Sequence, residues 1–351
     1  MSLFSCAPKS LCILRLSAIG DVCNTIAVIQ GIQQHWPQTK ITWITGKIEA
    51  QLLQAVENIE VIVFDKNKGI QAYLALWKSL KGREFDALLH MQYAIRASVA
   101  TLGIKSKYKL GFDKKRSQDF QTLFTNHKVK SPESMHVLDG LMAFSSKLGV
   151  PSHQASWTLA YSPTDSDWAK EQLDSSKRSL VIVPAASKAY KNWTHEGYLS
   201  LINYALKQNW QVILAGSPAP IEVELAQNLE NSIKGDLCNL VGKSKLLEML
   251  ALIDQCDLVV APDTGPTHMA NAMNTPVIGL YAHHNPKRTG PYQYQEYVVS
   301  AYEEAIKAET STPIEKLDWR TRVKDKDAMS RIKSEQVIDM FTKAVTDFKL
   351  D

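Results

Sequence analysis

Short apolar runs alternate with longer amphipathic stretches along most of the chain. The apolar runs have the length of buried strands and occupy 11–16, 41–45, 61–64, 85–90, 180–183, 211–215, 258–261 and 277–281. The stretches between them repeat apolar residues at helical spacing and include 21–36, 48–56, 70–80, 94–102, 196–207, 221–231, 246–256 and 267–273. Strands that alternate with helices in this way predict βαβ units and parallel sheets.

The alternation is interrupted between residues 151 and 178, where prolines and a run of Ser, Thr and Asp occur. Because such residues favour loops, we predict a domain boundary here, with doubly wound domains at 1–155 and 156–333. Two such domains imply a cleft, and doubly wound sheets bind ligands beyond the carboxyl ends of their strands. Near the C-terminus, 334–348 has the apolar stripe of one further helix.

The composition excludes several classes of protein. The chain has 351 residues, of which 45% are hydrophobic and 22% charged, so it is long enough for two domains and is not disordered as a whole. Its net charge of +4 is too small for a dedicated nucleic-acid binder. Five cysteines without a C-x-x-C pair favour a reducing compartment. We find no signal peptide or spanning helix, which indicates a cytoplasmic protein.

The first candidate for chemistry is Asp21, in the segment LRLSAIGDVCNT. A strand ends here, a loop of small residues turns at Gly20, and a helix begins. Backbone amides at a helix start favour anions, and Asp21 stands where a cleft would lie. Either Asp21 caps the helix or it is a catalytic carboxylate, and spacing alone leaves both open. The loop lacks the glycine patterns of a dinucleotide fingerprint and of a P-loop.

Two further loops carry candidate anion-binding groups. The segment VPAASKAYKNW places Ser187 and Lys191 between a strand and a helix, where a lysine either neutralises a phosphate or is merely solvated. After the strand at 258–261, the turn and helix start offer backbone amides and side-chain donors suited to a diphosphate. The residues concerned are Asp263, Thr264, Gly265 and His268. The adjacent pair His283–His284 is poorly spaced for a metal, so no metal site is expected.

These motifs, taken in order, resemble glycosyltransferase family 9, the ADP-heptose:lipopolysaccharide heptosyltransferases. The resemblance is carried by ILRLSAIGDVCNT, LLHMQYAIRAS, PAASKAYKNW, PDTGPTHMANAMNTPVIGLY with the following NPKRTGPY, and AMSRIKSEQVIDMF. It covers nearly the whole chain, and its D-T-G-x-x-H block is its most specific part. His90, Ala185 and Thr194 depart from the family's usual Asp, Gly and Pro.

The resemblance implies a GT-B architecture, in which two Rossmann-like domains face each other across a cleft. The C-terminal domain would hold a nucleotide-sugar and the N-terminal domain an acceptor, and the helix at 334–351 would pack back on the N-terminal domain. The family needs no metal or other cofactor, and its donor substrate is ADP-heptose.

The resemblance also implies roles for the candidate residues. Asp21 would be the general base for the acceptor hydroxyl. Lys191 and the amides around Thr264–His268 would hold the diphosphate, with Ser187 as a further donor. Asp263 would order its turn and contact the sugar, and Glu222 would bind the nucleotide ribose.

The family's acceptor is an anionic lipid-linked oligosaccharide, which directs attention to the basic segment KSKYKLGFDKKR at 105–116. Lys114, Lys115 and Arg116 are candidates for this acceptor and for peripheral contact with the inner membrane. A solvated loop is the alternative. Arg96 is a further acceptor candidate, with an ordinary helix-surface arginine as its alternative.

The sequence therefore predicts an inverting, metal-independent transfer of heptose from ADP-heptose to a lipopolysaccharide core. Three other functions remain open at this stage. They are a transferase with another donor or acceptor, a nucleotide-sugar-binding protein without turnover, and a nicotinamide-dependent oxidoreductase, which the missing G-x-G-x-x-G disfavours.

Overall fold

The computed structural model describes residues 2–350, which divide into two compact units between Ala160 and Tyr161. Each unit contains a six-stranded sheet with parallel strand pairs and helices between the strands. This confirms the predicted α/β class with two doubly wound domains. The division falls after the predicted boundary at 155, because the indole of Trp157 donates to the Cys23 carbonyl at 2.8 Å and Thr158 pairs with Gln30.

The first unit has the strand order β3-β2-β1-β4-β5-β6. Its strands are β1 (Ser10–Leu14), β2 (Lys40–Thr45), β3 (Ile59–Val63), β4 (Phe85–His90), β5 (Ser106–Phe112) and β6 (His127–Val129). Its helices are α1 (Ile19–His35), α2 (Glu49–Leu52), α3 (Ile70–Ser79), α4 (Ile95–Ala100) and α5 (Val137–Leu148).

The second unit repeats this plan with the order β12-β11-β10-β7-β8-β9. Its strands are β7 (Ser179–Ile182), β8 (Gln211–Leu214), β9 (Leu237–Asn239), β10 (Leu258–Pro262), β11 (Val277–Tyr281) and β12 (Val298–Ser300). Its helices are α6 (Pro163–Gln172), α7 (His195–Lys207), α8 (Pro220–Ser232), α9 (Leu246–Gln255), α10 (Gly265–Met273), α11 (Pro286–Thr289), α12 (Tyr302–Glu309) and α13 (Ser334–Asp347).

The central strands β1 and β10 are apolar and buried along their whole lengths, apart from Ser10. Strands covered by helices on both faces need such continuous apolar runs. The order of strands reverses between β1 and β4 in the first unit and between β7 and β10 in the second. The loops that follow these four strands emerge at the carboxyl edges of the sheets, where doubly wound folds bind ligands.

The terminal helix α13 belongs to the second unit, which corrects the expectation that it packs on the N-terminal domain. Its apolar face, Val337, Phe341 and Ala344, lies within the core that also contains Trp210 and Leu180. The Phe341 ring meets the Trp210 ring edge to face at 5.0 Å between centroids. This helix buries its stripe against its own unit because that is where the complementary aromatic surface lies.

The basic segment at 105–116 is not a plain loop, because its first part forms β5 between β4 and β6. The predicted helix at 48–56 is also shorter than expected, with α2 passing into a 3-10 turn at Leu53–Ala55. Within residues 2–350 the cysteines are free thiols, and no helix has the length and apolar character needed to cross a membrane.

Candidate active site

Asp21 is held by a buried cation in the loop between β1 and α1. It occupies the third position of α1, and its carboxylate accepts the Ala18 amide at 3.3 Å and forms an ion pair with the Arg15 guanidinium. The Arg15 side chain is only 1% exposed, whereas that of Asp21 is 38% exposed. Asp21 thus takes part in capping, yet its carboxylate stays open to a substrate.

The end of β4 fastens this loop to the sheet. The Gln92 side-chain oxygen accepts the amides of Leu16 and Ser17, and Arg15 donates to the Met91 carbonyl. Gln121 in turn donates to the Gln92 carbonyl at 2.9 Å. Because these contacts tie the loop to two neighbouring strands, the position of the Asp21 carboxylate follows from the packed sheet and not from a mobile loop.

A cavity of about 310 Å³ lies in the first unit, beginning at Leu16 and Ser17 of the same loop. Its charged lining residues are Lys47, Glu49, Asp65, Lys66 and Arg96. Burial raises the pKa of Glu49 above its ordinary value, although Lys66 and Arg96 act in the opposite direction. Arg96, a predicted acceptor residue, therefore lies at a cavity and not on a plain helix surface.

The other three predicted acceptor residues, Lys114, Lys115 and Arg116, differ in their exposure to solvent. Arg116 is buried at 2% exposure and donates to the carbonyls of Ser134 and His136, at 2.5 and 3.2 Å. It holds the segment before α5 in place, so it is not available to an acceptor. Lys114 and Lys115 are exposed, as expected for contacts with a partner.

In the second unit, three loops meet at the Asp263 carboxylate. One oxygen of Asp263 accepts Lys191 at 2.8 Å and also accepts Nδ1 of His284. Burial opposes ionisation of Asp263, but the His284 hydrogen bond and the Lys191 charge outweigh it and hold the pKa of this carboxyl well below its ordinary value. The site therefore contains an ionised carboxylate held between the Lys191 ammonium and the His284 imidazole.

The start of α10 lies directly after Asp263. Thr264 is the N-cap residue but makes no side-chain capping bond, and Gly265 is the first helical residue. Thr267 turns its hydroxyl inward to the Pro262 carbonyl at 2.6 Å, and His268 is 8% exposed. The start of α10 thus follows directly after the residue that binds Lys191 through both its carboxylate and its carbonyl. The first amides of a helix have no partner within the helix and favour anions.

Two other predicted donor residues lie on neighbouring loops. Glu222, in the first turn of α8, is largely buried and accepts both the amide and the hydroxyl of Ser217, at 2.8 and 2.6 Å. It therefore orders the loop after β8, with its lone pairs already partly used. Ser187 is exposed on the loop after β7 that also carries Lys191.

The two consecutive histidines have separate environments. His283 is buried, its Nδ1 lies 3.2 Å from the Val323 carbonyl, and its ring packs against Tyr190. His284 instead joins Asp263. Among the described residues, no group of three or more His, Cys, Asp or Glu side chains could hold a metal ion.

Sequence reasoning missed Arg15 and the role of His284 at Asp263. Arg15 is the only charged residue in the apolar run 11–16, and a lone charge inside a buried strand end was a signal that it has a specific partner. His284 gave no comparable signal, because its contact with Asp263 joins two loops that are separate in sequence.

Comparisons with known proteins identify the family of the chain. Residues 73–317 match the family described as glycosyltransferase family 9 (heptosyltransferase). The lipopolysaccharide core heptosyltransferase OpsX of Haemophilus influenzae is 48% identical over 343 residues, which cover 98% of this chain and 99% of OpsX.

Solved structures give the same fold class. A glycosyl transferase family 9 protein of Veillonella parvula superposes with a TM-score of 0.81 at 19% identity, covering 98% of this chain and 99% of the other. The Escherichia coli heptosyltransferase WaaC with ADP superposes with a TM-score of 0.74 at 19% identity, covering 95% and 99%. These likenesses confirm the GT-B fold class, and the family match together with the OpsX identity shows that the chain belongs to glycosyltransferase family 9.

Proposed function

We propose that this chain is an inverting, metal-independent glycosyltransferase that moves a heptose from ADP-heptose to a lipopolysaccharide core. The observation that carries the proposal is that Lys191 binds Asp263, the residue just before the N-cap of α10, so that a cation lies near a helix start without a side-chain cap. This combination suits a sugar-linked diphosphate. The name of OpsX supports the core acceptor, and the ADP in the WaaC structure supports an adenine nucleotide.

The second unit would supply the charge that a leaving diphosphate requires. Lys191 and the amides of the first turn of α10 face the growing negative charge, so a divalent metal is not needed. Asp263 would keep Lys191 oriented before the donor arrives. Glu222 would present its remaining acceptor capacity to the ribose hydroxyls, and Ser187 would add a hydroxyl donor.

The first unit would supply the base. Asp21 would accept the proton of the acceptor hydroxyl while that oxygen bonds to the anomeric carbon and the bond from this carbon to the diphosphate breaks. Attack from the side opposite the leaving group inverts the anomeric configuration. The Arg15 ion pair and the bond from the Ala18 amide would hold the Asp21 carboxylate in a fixed orientation.

The acceptor would bind at the cavity of the first unit. Its three cationic residues, Lys47, Lys66 and Arg96, suit an anionic sugar, while Glu49 and Asp65 can accept from sugar hydroxyls. This replaces the earlier assignment of Arg116, which is occupied by backbone carbonyls.

The connection between β5 and β6 would contact the membrane that carries the acceptor. It presents the exposed cations Lys114 and Lys115 together with Phe120 and Leu123, which are 74% and 78% exposed. Phe120 has a positive φ of 57°, a backbone geometry that a residue other than glycine adopts only where its surroundings require it. Basic groups beside exposed apolar side chains suit an anionic lipid surface, so we propose a peripheral location at the inner face of the cytoplasmic membrane.

The test is a transfer assay with a core acceptor that lacks heptose, in buffer containing a chelator. ADP-heptose should give a product one heptose heavier by mass spectrometry, and the anomeric proton of the product should report inversion. Turnover of a UDP-sugar but not of ADP-heptose would reassign the donor. Binding of ADP-heptose without any product, for a folded protein and several truncated cores, would contradict the proposed enzymatic function.

A further inference from the structure

The loop after β11 carries a histidine whose two ring nitrogens have unequal surroundings. Nδ1 of His284 lies against the Asp263 carboxylate, and because an ionised carboxylate only accepts, Nδ1 carries the hydrogen. Nε2 is buried and has no hydrogen-bond partner among residues 2–350. The tautomer is therefore fixed, and Nε2 is the ring atom left for another molecule.

His284 and Lys191 share one oxygen atom of Asp263. Lys191 Nζ is 2.8 Å from this oxygen and His284 Nδ1 also bonds to it, so the two nitrogens lie within about 6 Å of each other. All three side chains are between 12% and 17% exposed. A diphosphate that reaches Lys191 at the start of α10 thus comes within the range of the His284 ring.

We propose that His284 is a donor-binding residue, whose Nε2 takes up a proton when the diphosphate arrives and donates it to a phosphate oxygen as a hydrogen bond. This inference rests on the proposed donor site and adds a residue that the motif of the family does not include. It also gives Asp263 a second task, which is to stabilise the imidazolium that forms.

The charges around His284 favour this coupling. Burial lowers the pKa of His284, and the positive charges of Lys191 and Arg322 act in the same direction against the hydrogen bond and charge of Asp263. Arg322 faces the ring from the segment that pairs antiparallel with His284, and Tyr281 lies at the end of the strand below. The ring is therefore neutral at pH 7 before the donor binds. The negative charge of a bound diphosphate would then favour the protonated ring.

The test is calorimetric titration of the full-length protein with ADP at pH 7 in buffers of different ionisation enthalpy, which counts the protons taken up. His284→Asn is the informative variant, because its amide keeps a donor near Nδ1 for Asp263 and removes Nε2. His195→Asn, in the first turn of α7, is the matched control. Since the terminal phosphate of ADP also titrates near neutral pH, the measured quantity is the difference between wild type and H284N.

We expect wild type and H195N to take up a larger fraction of a proton than H284N, and H284N to bind ADP about tenfold more weakly. Wild-type affinity for ADP-heptose, whose diphosphate diester does not titrate between pH 6 and 8, should fall as the pH rises through this range, which tests the same coupling if H284N fails to fold. Equal proton uptake and equal affinity in H284N and wild type would overturn this inference alone. A folded wild-type protein that does not bind ADP would overturn the donor site and this inference together.

Discussion

At the scale of single residues, the first unit combines an accessible carboxylate with a buried cation. Asp21 is open to solvent, whereas the Arg15 guanidinium is enclosed and also bonded to the Met91 carbonyl. Because the Arg15 charge is buried, the loss of its partner Asp21 would be strongly unfavourable. Each member of the pair therefore holds the other in place. If Asp21 is the base as proposed, Arg15 is a positioning residue, since it acts through Asp21.

Replacing Arg15 with Met should lower kcat of the transfer reaction about 10- to 100-fold, because Asp21 loses its fixed orientation. The affinity of R15M for ADP should stay that of wild type, because the proposed donor site lies in the second unit. Arg15→Lys should restore part of the rate. A wild-type rate of transfer in R15M, with folding verified by circular dichroism, would remove Arg15 from this role.

His90 offers a second prediction at this scale, on stability. Burial, assisted by the charge of Arg15, lowers the pKa of His90 to about 3, well below its ordinary value of 6.5. The unfolded chain therefore binds a proton below pH 6.5 that the folded chain refuses until pH 3, and folding free energy is lost as the pH falls through this window. At pH 5 the loss is about 2 kcal/mol.

Urea unfolding at pH 7 and pH 5 measures this effect. The loss between the two pH values should be smaller by about 2 kcal/mol in His90→Gln than in wild type. His35→Gln, at an exposed histidine, is the control and should behave as wild type. An equal pH dependence in H90Q and wild type would show that His90 titrates normally in the folded protein.

At the scale of elements, the sequence predicts the buried central strands well and the partly exposed strands poorly. β1, β10 and β11 are continuous apolar runs, so their position and type follow from the pattern. β5 begins with the polar residues Ser106 and Lys107, which interrupt any apolar run, so the pattern shows a basic segment there and does not predict a strand. The short strands β6, β9 and β12 have three residues each, too few to set a pattern.

The same distinction applies to the site. Motif residues that start a helix, such as Asp21 and Gly265, are recognisable because strand, turn and helix follow each other along the chain. Contacts between loops, such as that of His284 with Asp263, depend on the order of strands in the sheet. A short sequence pattern carries no information about the order of strands, so it does not predict contacts of this kind.

The packing of α13 yields a prediction for an element. Phe341→Ala should destabilise the second unit by about 3–5 kcal/mol, because a ring at 2% exposure leaves a cavity beside Trp210. The unfolding transition assigned to the second unit, followed by hydrogen exchange of β7 and β8, should shift. Thr346→Ala, at an exposed position of the same helix, should have little effect. Loss of protection only in the strands of the first unit would contradict the assignment of this helix.

At the scale of the whole molecule, the net charge is only +4, but cations are concentrated locally in the first unit. Lys114 and Lys115 stand in the same connection as Phe120 and Leu123, so attraction to anionic lipid and insertion of apolar side chains would act together. The proposed donor site in the second unit and a basic, partly apolar loop in the first are the combination expected of an enzyme that joins a nucleotide-sugar to a lipid-linked acceptor.

Sedimentation with vesicles that contain anionic lipid tests this combination. The double variant K114Q/K115Q should weaken binding at low salt by about 2 kcal/mol, or roughly 30-fold, and the effect should shrink as salt is added. F120S/L123S should weaken binding at both low and high salt. Val223→Ser, which removes an exposed apolar side chain from the second unit, is the control. Unchanged binding in both double variants would exclude this loop as the membrane contact.

If Asp21 is the base for transfer from a donor held by the second unit, its removal should lower the rate of transfer without weakening the binding of ADP. The single-turnover rate of transfer from ADP-heptose and the affinity for ADP are determined on the same preparations of wild type, Asp21→Ala and the exposed-acid control Glu133→Ala. We predict that D21A loses about 100-fold or more in rate while its affinity for ADP stays that of wild type, and that E133A is unaffected in both. Transfer at the wild-type rate by D21A would show that Asp21 is not the base.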